Sequence, residues 1–86
     1  MTDRPLSERM QRILATIADA KSGEISGWSV AKWLQLDSFF TREGLRALVN
    51  RGLIVMRPTD DPNDEFRKAF PDRMKAMYSI AKESQK

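Results

Sequence analysis

Between Leu45 and Met56 the chain changes its hydrophobic period across a single glycine, and few folds accept such a junction. Thr41, Leu45, Leu48 and Val49 recur at helical spacing and form one apolar stripe, with Arg42, Glu43, Arg46 and Asn50 off it. Gly52 supplies the left-handed stop that needs no Cβ, and Arg51 before it suits the negative end of the helix dipole. Leu53 to Met56 is apolar throughout, with two β-branched residues, which is the pattern of a buried strand. A helix over 38–51, capped by Asp37 or Ser38, therefore runs straight into a strand.

Upstream, Leu6, Met10, Ile13, Leu14 and Ile17 make the stripe of an amphipathic first helix of about four turns, with Ser7 or Asp3 as its cap. Ser26 or Ser29 caps a second helix carrying Val30, Ala31 and Leu34, and Leu36 lies past the turn. Downstream, Pro58, Pro62 and the Asp and Asn residues between Asp60 and Asp64 mark a loop, because they set turns and compete with regular pairing. Met74, Ala76, Tyr78 and Ile80 then alternate with Lys75, Met77 and Ser79, so a second strand returns beside the first. The expected core is Ile13, Leu14, Ile17, Val30, Leu34, Leu45, Leu48, Val49, Leu53 and Val55.

Composition narrows the function. At 86 residues there is room for one core. The absence of Cys and His removes thiolate chemistry, the commonest metal ligand and the commonest general base. Asp60, Asp61 and Asp64 lack the spacing and glycine of a calcium hand, and no nucleophile–base pair or phosphate-cradling glycine loop is present. No enzyme activity, metal or cofactor is expected. No apolar run approaches the ~20 residues of a membrane span, so a cytoplasmic protein is expected. The net charge of +3 permits a polyanion as partner.

Leu45-x-x-Leu48-Val49-x-Arg51-Gly52-Leu53-Ile54 resembles the end of the recognition helix and the first wing strand of winged helix-turn-helix transcription regulators of the MarR-like and GntR-like groups. Val30-Ala31-x-x-Leu34-x-Leu36 resembles the first helix and turn of such a unit, with Gln35 where that turn usually carries glycine. The resemblance implies an α+β fold, a small winged helix over 1–86, with a three-helix core and a β-hairpin wing over about 53–81. It implies that Ile25 forms a very short strand against the wing. It also implies sequence-specific binding of double-stranded DNA, as a homodimer, for transcription control in a bacterium, archaeon or phage.

Carried onto this sequence, the contacts at the start of the recognition helix fall on Ser38, Phe39, Phe40, Thr41 and Arg42. Arg42 and Arg46 suit bidentate bonds to guanine or phosphate, and Asn50, late in the helix, suits a phosphate. Arg67, Lys68 and Arg73 would form a basic wing tip, beside the acidic Asp60, Asp61, Asp64, Glu65 and Asp72. Trp33, Phe39 and Phe40 raise an alternative, a protein-interaction module on the same fold whose exposed aromatics grip a protein partner.

Overall fold

The computed structural model describes residues 6–81. Helix α1 spans Glu8–Ala18 and is capped by Ser7, whose hydroxyl accepts from the Met10 amide at 3.2 Å; Asp3 lies outside the described residues. At three turns it is a turn shorter than its apolar stripe predicts, because Leu6 packs on the core from ahead of the cap. Strand β1 is Ile25–Ser26, and α2 is Gly27–Leu34 with Ser26 as its cap. Helix α3 is Ser38–Asn50, capped by Asp37. The wing follows as β2 (Ile54–Arg57), a short helix α4 (Glu65–Ala69) and β3 (Met77–Ile80). The three strands form an antiparallel sheet in the order β1-β3-β2; Ile25 forms the short strand expected against the wing and lies opposite Tyr78, and Ile54 lies opposite Ile80. This is the winged-helix arrangement, three helices with a β-hairpin wing. No helix among the described residues is long and apolar enough to cross a membrane.

Two helix ends use the same device. After α3, the Gly52 amide donates to Val49 O and the Leu53 amide to Leu48 O, with Gly52 at φ 77°. After α2, Gln35 donates to Lys32 O and Leu36 to Ala31 O, with Gln35 at φ 56°. Both are the paired bonds of a Schellman stop, and the second forces a side-chain-bearing residue into the left-handed region. The turn between α2 and α3 is therefore tight without glycine.

Close approaches fix the helices and the wing. A Cβ on Gly44 would lie 2.6 Å from Ile13 Cδ1, so the bare backbone lets α1 press on α3. A Cβ on Gly27 would lie 2.9 Å from Met74 Cα and 3.0 Å from the carbonyls of Arg73 and Met74. At that contact Gly27 N donates to Ala76 O and Trp28 N to Met74 O, which joins the start of α2 to the root of the wing.

The core holds Ile13, Ile17, Val30, Leu45, Leu48, Ile54, Ala76 and Tyr78, with Leu14, Leu34 and Val49 half-buried against it. Leu53 and Val55, expected inside, are exposed; Ile54 and Met56 turn inward in their place. Strand β2 is a sheet edge with helices on one face only, so an unbroken apolar run still alternates in and out. The second wing strand is shorter than expected. Residues 73–76 form a turn, because the Asp72 carboxylate accepts from the amides of Met74 and Lys75 and its carbonyl from Ala76. Met74 and Ala76 are buried all the same.

Candidate nucleic-acid interface

Helix α3 divides its residues as the spacing predicts. Thr41, Gly44, Leu45 and Leu48 face the core, while Ser38, Phe39, Phe40, Arg42, Arg46 and Asn50 are exposed. Thr41 was placed among the DNA contacts by resemblance, and the structure corrects this: it has no exposed surface, and its hydroxyl donates to Asp37 O at 3.0 Å. It lies on the same stripe as Leu45 and Leu48, where it ties the first turn to the cap.

Within the wing, residues expected to form an irregular loop contain helix α4. The Asp64 carboxylate accepts from the Arg67 amide and starts it. Phe66 and Phe70, one turn apart, pair with ring centroids 5.3 Å apart, and both are more than half exposed. Asp61 serves a local turn by accepting from the Asn63 amide, and Asp60 ties the two arms of the wing by accepting from the Asp72 amide. Their carboxylates do not converge, and no metal-holding group of three or more occurs among the described residues.

Between the start of α3 and the wing lies an open groove of about 570 Å³. Ser38 and Arg42 come to it from α3, Trp28 from α2, and Phe66, Arg67, Phe70 and Arg73 from the wing. Four residues expected to touch DNA, Ser38, Arg42, Arg67 and Arg73, thus share one concavity. Phe40, Arg46, Asn50 and Lys68 do not line it. Phe40 lies under the Arg9 guanidinium of α1, 4.6 Å from its ring centroid, and edge-on to Phe39 at 5.6 Å.

Ion pairing sorts the cations further. Arg46 is held by Glu43 at 3.0 Å and Lys68 by Glu65 at 3.4 Å, each on its own helix. Arg57 makes two bonds to Glu24 at 2.8 and 2.9 Å, which strap the segment before β1 to β2. Those hydrogen bonds hold the Glu24 carboxyl below its usual value and push Arg57 up. Arg42, Arg67 and Arg73 are in no ion pair with a described carboxylate. Arg42 lies 5.9 Å from the Phe39 centroid, and Arg67 lies 5.2 Å from that of Phe66 and donates to Phe70 O. Arg73 is positioned through its backbone, since its carbonyl accepts from the buried Tyr78 hydroxyl at 2.7 Å. Burial pushes the Tyr78 phenol up to about 12, and the Arg73 charge opposes that rise. The groove cations are thus free of a described carboxylate and can meet a polyanion.

Trp28, Phe66 and Phe70 were not expected at the site. Trp28 leaves 54% of its surface exposed. Trp33, 76% exposed, borders a separate hollow with Ala15, Thr16, Asp19, Ala20 and Ile25.

The backbone is similar to solved structures of MarR. The reduced form of MarR from E. coli matches with a TM-score of 0.62 and 18% sequence identity, over 88% of this chain and 47% of that one. A mutant MarR from E. coli, complexed with operator DNA, matches with a TM-score of 0.63 and 18% identity, over 93% of this chain and 49% of the other. The chain spans about half the length of the structures it matches, and the likeness is one of fold. No family model and no curated protein matches the sequence.

Proposed function

We propose that this winged helix binds double-stranded DNA in a sequence-specific way and serves transcription control, with α3 in the major groove and the wing against the neighbouring backbone. The observation that carries this reading is the convergence of Arg42, from the first turns of α3, with Arg67 and Arg73 of the wing on one groove, none of them neutralised by a described carboxylate. One strand of the duplex passes along that groove. Arg42 reads guanine or holds a phosphate, Ser38 contacts a phosphate at the start of the helix, and Arg67 and Arg73 hold the backbone. Phe39 and Phe40 offer apolar contact to thymine methyls, while Arg46, Asn50 and Lys68 add weaker phosphate contacts at the rim. Operator DNA in the crystal with a MarR of the same fold supports the reading. A homodimer reading two half-sites enlarges the small footprint of one module.

The alternative protein-gripping face would need Trp33, Phe39 and Phe40 to act together. Trp33 borders its own hollow, while Phe39 and Phe40 pair with each other and with Arg42 and Arg9. DNA is accordingly the preferred reading. It is tested by selecting a bound duplex from a random pool and measuring its affinity for the Arg42→Ala, Arg46→Ala double variant. Loss of about 1–3 kcal/mol of binding, with specificity relaxed and folding intact, supports it. Unchanged affinity and specificity remove α3 from the interface.

A further inference from the structure

Phosphate contacts account for the arginines of the groove but leave its three aromatic rings without a task. Trp28 is 54% exposed, Phe66 61% and Phe70 63%. They come from both walls, Trp28 from α2, Phe66 from α4 and Phe70 from the C-cap of α4. Apolar rings clustered at the surface mark a contact site, and a paired duplex turns only sugar, phosphate and base edges toward such a wall. An unpaired base offers its π-face. A cationic groove walled by aromatic side chains is the physical make-up of single-strand binding, with phosphates on the cations and bases on the rings.

We propose that this groove also holds a short single-stranded stretch of nucleic acid, its bases stacked on Trp28, Phe66 and Phe70 and its phosphates on Arg42, Arg67 and Arg73. The proposal rests on the groove being the nucleic-acid face. Charge decides for a nucleic acid over an apolar partner, because three arginines line the groove, of which Arg73 also donates to Met56 Sδ at 3.9 Å. The groove's one carboxylate, Asp72, already accepts from Met74 N and Lys75 N. Arg67 over the Phe66 ring extends the stacking surface. The volume of about 570 Å³ falls within the range of sites that enclose small ligands.

The test uses a Trp33→Phe background, so that Trp28 is the one reporting indole, and titrates the full chain with a short oligothymidylate. Stacking is expected to quench Trp28 with a saturable curve. The Phe66→Ser, Phe70→Ser double variant is expected to weaken oligothymidylate binding roughly tenfold or more. Its affinity for a duplex of equal length should fall far less than that for oligothymidylate, since the duplex is held by the arginines and offers the rings no base face. Both phenylalanines are exposed, so an unchanged thermal melt will show that the variant folds. Duplex binding without oligothymidylate binding overturns this inference and leaves the function above standing. Binding of neither overturns both. Oligothymidylate affinity indifferent to the rings, or equal displacement by an oligoglutamate, also overturns it.

Discussion

Replacing Gly27 by alanine should detach the wing from the helices, and the cost can be worked from three contacts. The new methyl would sit 2.9 Å from Met74 Cα and 3.0 Å from two carbonyl oxygens, all backbone atoms that no rotamer change can move. Forcing volume into a packed site costs about 1–3 kcal/mol. The shift also stretches the bonds from Gly27 N to Ala76 O and Trp28 N to Met74 O, each contributing about 1 kcal/mol. Alanine returns up to about 1 kcal/mol through helix propensity, and less at a first helical position. The net is a loss of about 2–4 kcal/mol, or roughly 8–32 °C in melting temperature at about 4–8 °C per kcal/mol for a domain of this size. Circular dichroism melts measure it, with Gly44→Ala as the control. There the clash is with Ile13 Cδ1 alone, a side-chain end that can rotate, so relief and propensity should leave the change under about 1 kcal/mol. A Gly27→Ala melt within about 2 °C of wild type, or one milder than Gly44→Ala, would refute the close approach as the joint of the wing.

Gln35→Gly should stabilise the protein by about 0.5–1 kcal/mol in urea unfolding, because relief of the left-handed strain, about 1–2 kcal/mol, exceeds the added freedom of the unfolded chain. A lower urea midpoint would contradict the strain at φ 56°. The Tyr78 phenol, raised from 10.0 to about 12, favours the neutral form in the folded state, so its contribution is complete below pH 10 and is lost as the pH rises through 12. That alkaline loss amounts to roughly 3 kcal/mol at about 1.4 kcal/mol per unit, and Tyr78→Phe should abolish it while losing about 1 kcal/mol at neutral pH with the bond to Arg73 O. An unchanged alkaline limb in the variant would place the titration elsewhere. Arg42→Ala should lower the salt slope of duplex binding by about one, and Arg46→Ala by less, since Glu43 already neutralises Arg46. Equal slopes for the two variants would remove the ion-pair distinction.

The three core helices and the Gly52 stop were legible because caps and periodicity are local. Ser7, Ser26, Asp37 and Gly52 each act within a few residues of where they stand. The inward turn of Ile54 and outward turn of Leu53 were not legible, since an all-apolar run carries no phase and the uncovered sheet face is a tertiary fact. Helix α4 was hidden by the Pro, Asp and Asn signals ahead of it. Asp64 as a cap, Phe66 and Phe70 one turn apart, and Arg67 and Lys68 in the last turn were its available trace. Least legible was the groove. Trp28 meets the wing through the Gly27–Met74 approach, which joins segments more than forty residues apart and leaves no local pattern.

The most direct test of DNA binding is the salt dependence of affinity for mixed-sequence duplex. Log affinity falls against log salt with a slope of about −0.9 for each phosphate neutralised, so Arg42, Arg67 and Arg73 together predict a slope of about −2.7 or steeper. Binding that is absent, or indifferent to salt, would contradict the account and turn attention to a protein partner.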